Sequence, residues 1–474
     1  MLCKKSLSNP VRFGRKQRQT DDFCAVDYLG SSEGSFFCHD GMHLYRNTFS
    51  LSLCWQRQYP KNYCFSLSLQ WGILCVMEHL EQVYDVVVIG GGAAGLWALR
   101  GLKDKSVIVI EGNDRLGAKL LATGGGKCNF TNRFLAPEHF ISSNPHFIKS
   151  FLHKFSTQDM LDFVEGHGIP YEERDNGKLF TLSGAASILE ALLEEGRGGN
   201  HTFMLGCLVQ DVSKVEGDAD TGGQLFSMET SCGEVLARKV IVASGGLSYP
   251  RLGATNIGVK IARKFGMRVM PMVPALAGLR YPDEIAEQFS SLSGIAITAG
   301  LAVGKRRLQD QLLFTHRGFS GPLALNASLF VEGPTEITVD FVPGLDVARL
   351  IEDNRGSRKS LVGLLSEHLP KAVVRVLLAG REYNLVQVKK SEVEEVAAAF
   401  NRQKMVISQV DGYDRAEVTR GGVSVDEIFP KTMESRKCPG LYFIGEALDV
   451  TGMLGGYNLH WAWASAQMLV EGLE

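Results

Sequence analysis

The sequence predicts an α/β chain organised around a buried strand that runs through a glycine turn into a helix. Three observations predict it. In Tyr84-Asp-Val-Val-Val-Ile89 the run Val86 to Ile89 is apolar and β-branched, as in a strand buried on both faces. Gly90, Gly92 and Gly95 follow as G-x-G-x-x-G, and the apolar stretch Ala93 to Leu99 reads as the helix. A second such strand, Val107 to Ile110, ends in Glu111, sixteen positions after Gly95. That is near the spacing of about 20 residues at which an acid meets the ribose of a dinucleotide. The strand-into-glycine theme then returns at Lys239-Val-Ile-Val-Ala-Ser-Gly-Gly246 and at Leu441-Tyr-Phe-Ile-Gly-Glu446. In such a unit Gly90 makes the tight turn, Gly92 lets a pyrophosphate approach, and Gly95 lets helix and strand pack closely. The free N–H groups of the first helical turn face the phosphates.

With 474 residues the chain can hold two or three domains and a sizeable core. A formal net charge of −2 gives no global electrostatic case for nucleic acid or an anionic membrane. The 52 glycines cluster after strands, which suggests backbone pressed against a ligand. Of ten cysteines, six (Cys3, Cys24, Cys38, Cys54, Cys64 and Cys75) precede the first recognisable strand. No C-x-x-C or C-x-x-x-x-C occurs, so zinc, thioredoxin-like and flavin-linked dithiol readings lack support, and no metal is expected.

Residues 1–76 lack sustained periodicity. Lys4 to Arg18 is basic but has no apolar stretch behind it, and Asp21, Asp22 and Asp27 oppose a transit peptide. Phe65 to Val76 is too short and too polar to span a membrane. Met77 leads directly into the first strand, so 1–76 is expected to be an unstructured arm or upstream sequence included by mistake. A cytoplasmic protein without membrane contact is expected.

The glycine-rich loop Arg115 to Asn132 reads as irregular backbone wrapped around a large ligand. Pro145 to Gly166 and Ser183 to Glu195 carry helical periodicity. Met204 to Val215 and Gln224 to Thr230 alternate as antiparallel strands. Short alternating strands dominate from Pro271 to Val342, interrupted by a polar loop, Leu312 to Pro322, and Asp346 to Phe400 turns helical. Both parts read as insertions, because Leu441 to Glu446 returns to the first texture. Thr451-Gly-Met-Leu-Gly-Gly-Tyr-Asn458 and a helix from His460 to Leu473 close the chain.

Taken together, Gly90 to Gly95, Thr123-Gly-Gly-Gly-Lys-Cys-Asn-Phe-Thr-Asn132, Gly245-Gly-Leu-Ser-Tyr-Pro250, Phe314-Thr-His-Arg-Gly-Phe-Ser-Gly-Pro322, Lys431-Thr-Met-Glu-Ser435, Gly445-Glu-Ala-Leu-Asp449 and Gly455-Gly-Tyr-Asn458 resemble a bacterial flavoprotein family. It is the family of NAD(P)/FAD-dependent oxidoreductases that are aminoacetone-oxidase-like or dehydro-bile-acid-reductase-like. The resemblance covers most of 84–474 and none of 1–76. It implies a Rossmann-like FAD-binding domain of the two-dinucleotide-binding-domain flavoprotein type, with an inserted β-barrel and a small helical subdomain. The expected division is 77–268 and 405–474 for the FAD-binding domain, 269–344 for the barrel and 345–404 for the helices. Three positions depart from the family: Thr181 stands for proline after Phe180, His460 for glutamine, and Ala466 near a usual glycine. They leave the cofactor site intact and bear on the substrate.

The resemblance implies roles. Gly90, Gly92, Ala94 and Gly95 hold the FAD pyrophosphate, and Glu111 holds the adenosine ribose. Lys119 and Lys127 offset phosphate charge, or else are surface lysines. Gly124, Gly125, Gly126, Lys127, Cys128 and Asn129 pass close to the ribityl chain or the flavin ring. Val209 meets the adenine through its backbone, and Gly245 belongs to the second glycine crossing. Glu446 and Asp449 bond the ribityl hydroxyls, or else cap a turn. Gly456, Tyr457, Asn458 and Leu459 bring the last helix's N-terminus to the flavin pyrimidine, where its dipole favours negative charge. Cys128, His316 and His460 are the catalytic candidates, each with a bland alternative: packing for the cysteine, structural hydrogen bonding for the histidines.

The expected activity is that of an FAD-dependent oxidoreductase moving a hydride to or from a small organic substrate. NAD(P)H is the expected donor; no second complete G-x-G-x-x-G exists, so it visits transiently, or the electrons come from the substrate itself. Two alternatives stand beside this. One is a flavin-dependent RNA-modifying enzyme, which a basic groove on the inserted parts would favour although the neutral balance predicts no nucleic-acid partner. The other is a non-catalytic flavin-binding protein.

Overall fold

The structure, a computed structural model, describes residues 82–217, 223–381 and 383–473 together with the backbone of three short strands before them. Those strands, Ser35–Cys38, Met42–Asn47 and Ser50–Leu53, pair antiparallel in sequence order. The remainder of 1–81, and with it most of the expectation placed on 1–76, lies outside the described residues. Internal contacts divide the chain into two units, Met1–Val76 and Met77–Glu474.

In the second unit the main sheet comprises, in chain order, β1 (Val83–Ile89), β2 (Ser106–Ile110), β3 (Asn200–Met204), β4 (Val209–Glu216), β5 (Gln224–Thr230), β6 (Gly233–Val242) and β7 (Leu441–Phe443). Their order is β3-β2-β1-β6-β5-β4, with β7 also on β6. β1, β2, β3, β7 and the second half of β6 run parallel; β4 and β5 fold back antiparallel onto its first half. Val87, Val88, Val107, Ile108 and Val240 are wholly buried, as expected of strands covered on both faces.

Register is what brings the distant glycine turns together. Ile89 stands opposite Ile110 and Val242, Ile110 opposite Met204, and Val242 opposite Phe443. Gly90, Glu111, Ser244 and Gly445 therefore leave the sheet side by side at one edge. On the face beside β1, helix α1 (Ala93–Ala98) packs against α2 (Tyr457–Leu473). Trp97 fills their seam: it is 5.4 Å from Trp463 and 5.5 Å from Phe155, centroid to centroid.

A seven-stranded antiparallel sheet forms the second body, in the order Gln403–Ile407, Thr335–Asp340, Ala296–Val303, Arg306–Thr315, Gly318–Ser320, Leu279–Arg280, Gln409–Val410. The first and last of these are separated only by Ser408, so the two edges of the sheet meet in one run of chain. The helices Val347–Asp353, Leu361–Leu365, Lys371–Leu378 and Lys390–Asn401 enter between two neighbouring strands and share one apolar core with the sheet, including Phe314, Phe341, Leu361, Val374 and Phe400. Val269–Ala275 pairs with Val418–Val423 where the chain passes between the bodies.

Several local expectations are corrected. The helical stretch from Pro145 is two helices, Pro145–Lys154 and Thr157–Gly166; Ser156 and Asp159 cap the second reciprocally, which stops the first from running through. Met204 belongs to β3, not to β4. The glycine-rich loop after Arg115 contains a short helix, Ala118–Ala122, and a strand, Asn129–Asn132. The segment from Leu312 is not a loop but a hairpin turning at His316 and Arg317, followed by the helix Gly321–Ser328. The last helix begins at Tyr457, three residues early.

Candidate active site

The sheet edge opens into a cleft of about 670 Å³, lined along its length by Gly90, Gly92, Glu111, Lys119, Val209, Gly245, Gly456 and Asn458, among others. Glu111 and the Gly456–Leu459 corner thus face one shared space. The three fingerprint glycines divide the labour as expected. Gly90 has φ +107°, and a Cβ there would lie 2.5 Å from the Ala243 carbonyl. A Cβ on Gly95 would lie 2.1 Å from the Gly90 carbonyl, so this glycine sets the helix–strand distance. A Cβ on Gly92 would meet nothing within 4 Å and would project into the cleft. Ala94 lines the cleft and Gly95 does not.

Glu111 is tied to the fingerprint itself. Its Oε2 accepts from the Gly91 N–H at 2.8 Å, and its Oε1 accepts from the Asn113 N–H and Nδ2. This fixes the carboxylate at the cleft wall with lone pairs to spare. Lys119 is not a surface lysine. Its Nζ bonds Glu446 Oε2 and Ser248 Oγ, each at 2.8 Å. Glu446 Oε1 accepts from the Thr419 N–H at 2.8 Å. The pair therefore bolts the helix after β2 to the chain after β7, and both residues face the cleft as a neutral couple.

Gly124, Gly125 and Asn129 line the cleft; Gly126, Lys127 and Cys128 do not. Lys127 is exposed and contributes only its carbonyl, which holds Thr181. The Asn129 orientation that satisfies both ends of the amide sets its oxygen on the Gly456 N–H at 3.0 Å. Asn458 bonds the Gly452 N–H and carbonyl, shaping the loop before α2, and Leu459 lines the wall.

The catalytic candidates fare differently. Cys128 is wholly buried, and desolvation pushes its thiol up to about 12, so it is neither a thiolate nor at the cleft. His460 is also wholly buried. Its Nε2 lies 3.2 Å from the Phe155 carbonyl, which can only accept, and its Nδ1 lies 2.8 Å from Thr131 Oγ1. The ring is therefore neutral with its proton on Nε2, and burial lowers its pKa to about 4. Asp449 turns away from the cleft and accepts from the Ser143 N–H at 2.9 Å. The Tyr457 ring packs on His139 and Phe140 instead of lining the cleft. His316 is exposed at the hairpin tip, in a neighbouring cavity. Among the cleft residues not named as site candidates are Ser244, Tyr249, Glu417 and Asn113. Ser244 and Tyr249 lie within quoted glycine motifs, whereas nothing local marks Glu417.

The family model described as HI0933-like protein Rossmann domain matches residues 84–471. The chain belongs to the HI0933-like family. Two proteins named ribosomal RNA dihydrouridine synthase, from Escherichia coli and from Haemophilus influenzae, are each 37% identical over 82% of this chain and 98% of their own length. A 3-dehydro-bile acid delta(4,6)-reductase from Clostridium scindens is 28% identical over 80% of this chain and 97% of its own. Membership in this Rossmann FAD-binding family makes the chain a flavoprotein of oxidoreductase type. The residues fit that cofactor. Gly92 leaves a cradle that a side chain would fill, Glu111 stands at the ribose distance in sequence, and Ser244 is at the cleft with its buried hydroxyl lacking a partner among the described residues. Among the described residues, no group of His, Cys, Asp and Glu side chains could hold a metal, and no helix is long and apolar enough to cross a membrane.

Proposed function

We propose that this protein reduces a carbon–carbon double bond conjugated to a carbonyl, with uridine in ribosomal RNA as the substrate and dihydrouridine as the product. The observation that carries this is the 37% identity, over 82% of this chain and 98% of theirs, with two proteins named ribosomal RNA dihydrouridine synthase. The name of the bile-acid relative points to the same chemistry, two hydrogens added across a double bond. Bound FAD supplies the hydride. The chain's own residues hold it: the Gly90–Gly95 turn at the pyrophosphate, Glu111 at the ribose, and the Gly456–Leu459 corner at the flavin pyrimidine. The dipole of α2 favours negative charge there, by about 0.3–2 kcal/mol.

NAD(P)H is the proposed donor, visiting transiently, since the chain carries one glycine fingerprint only. The neutral net charge restricts RNA contact to a local patch. Beside the cleft, Arg280, His316, Arg317 and Arg415 share a second cavity with Asp411 and Glu417; Arg280 and Arg415 both pair with Asp411, which leaves Arg317 as the arginine there without an ion pair among the described residues. The test is to incubate the FAD-loaded protein and NADH or NADPH with unmodified ribosomal RNA, then weigh nuclease fragments by mass spectrometry. A gain of two hydrogens at a uridine is expected. Bleaching of the flavin by either nucleotide with no mass gain would refute the substrate, and no bleaching would refute the donor.

A further inference from the structure

Beside the cofactor cleft lies a cavity of about 460 Å³, within the size range of small-ligand pockets. It sits under the hairpin that turns at His316 and Arg317. Leu276, Leu325, Glu417 and Gly278 are on its walls, and two of these, Leu276 and Glu417, also line the cofactor cleft. These two residues form the partition. They are bonded to each other, Glu417 N–H to the Leu276 carbonyl at 3.2 Å. Leu276 is a buried, non-glycine residue at φ +50°, held by its neighbour Ala277, whose N–H bonds the buried Ser328 hydroxyl at 3.1 Å. Strain of this kind persists where surrounding structure enforces it, commonly at sites of function.

We propose that this cavity seats the reducible pyrimidine nucleotide and that Glu417, on the shared wall, donates the proton that completes the reduction. This rests on the RNA reading above. The Glu417 carboxylate makes no hydrogen bond or ion pair among the described residues, unlike the neighbouring Glu446. The residue is exposed, yet the protein around it partly desolvates the carboxylate. That desolvation raises its pKa and favours the protonated form. Tyr249 lines the cofactor cleft with it, and Asp411, Arg415, Arg280, His316 and Arg317 line the second cavity with it. Asp411 is already bonded to Arg280 at 2.5 Å, so it does not compete for the acid's role. Arg317 makes no ion pair among the described residues and is free to meet an RNA phosphate.

The step balances. The C5=C6 π bond of the uracil would break as C6 gains a hydride, the two-electron equivalent that bound, reduced flavin would supply on returning to its oxidised form. The electron pair would shift toward C5, conjugated to the C4 carbonyl, and take the proton of Glu417, which is left as carboxylate and reprotonated from solvent.

The experiment uses the flavin-loaded protein, reduced anaerobically and mixed in a stopped-flow cell with a ribosomal RNA fragment or with 2-cyclohexenone. Flavin absorbance follows reoxidation. Glu417→Gln is expected to slow reoxidation on the order of 10²–10⁴-fold, the usual contribution of a general acid, and to abolish the fall in rate at alkaline pH. Arg317→Gln should weaken RNA binding and lower its salt slope by about 1. Reoxidation of Glu417→Gln at the wild-type rate, with the wild-type pH profile, overturns the acid. An unchanged RNA affinity and salt slope in Arg317→Gln overturns the seat. Wild-type reoxidation by the enone alone, slowed in Glu417→Gln, keeps the acid and removes RNA. Reoxidation by neither removes both.

Discussion

His460 was a catalytic candidate by sequence and is a structural residue by geometry, and the two roles respond oppositely to acid. Folded, its pKa is lowered to about 4 by burial; unfolded, it is about 6.5. Between those values the unfolded chain binds a proton that the folded one refuses, so stability rises with pH across this window. The contribution is fully present above about pH 6.5 and is lost progressively as pH falls towards 4. At about 1.4 kcal/mol per pH unit the gap amounts to about 3 kcal/mol, a large share of the 5–15 kcal/mol typical of a domain. The perturbation is His460→Gln, a neutral side chain able to accept from Thr131 and donate to the Phe155 carbonyl. Urea unfolding of both proteins, at one FAD concentration, is followed by circular dichroism from pH 7.5 to 4.5. Wild type is expected to be the more stable at pH 7.5, and its advantage should shrink by about 3 kcal/mol by pH 4.5. Flavin reduction between pH 6 and 8 should keep its profile in the variant. A stability difference that does not change with pH would refute the buried neutral histidine.

Three further outcomes follow from the cleft. Gly92→Ala should leave the melting temperature within about 2 °C, because its Cβ meets open space, while FAD affinity measured by flavin fluorescence falls at least about tenfold. Gly95→Ala should instead destabilise the fold by about 1–3 kcal/mol or more, since backbone stands 2.1 Å from the new Cβ. Cys128 should resist iodoacetamide at pH 8 in the native protein, as peptide mapping would show, and Cys128→Ser should retain flavin reduction. Lys119→Met should cost about 1–2 kcal/mol, between surface and buried ion pairs, and a double-mutant cycle with Glu446→Gln should show coupling near 1 kcal/mol; zero coupling would show the pair to be incidental.

The backbone of the cofactor site was readable because its causes are local. A glycine that must turn, and one that must pack, each leave a mark at a fixed offset from a β-branched run; Gly90, Gly92, Glu111 and Gly456 stand at the cleft, and Gly95 stands behind it, between helix and strand. Side-chain destinations were not readable, because partners lie far away in sequence. Lys119 finds Glu446 and Ser248, Asp449 finds Ser143, and His460 finds Thr131, each across more than a hundred residues. The hairpin at His316 was hidden because Gly318 and Gly321 look like loop residues. In the structure they take positive φ in a strand pair and at a helix start. Glu417 stands in no glycine motif, and only the folded partition gives it a role.

The register that aligns Ile89, Ile110, Val242 and Phe443 has a consequence for biosynthesis. A ribosome makes the fingerprint wall first and the Gly445–Leu459 wall more than three hundred residues later. A nascent chain halted before β7 would have Gly90 and Glu111 but not the Gly445–Leu459 wall, so the cleft is completed only when the last strand and the last helix have been made.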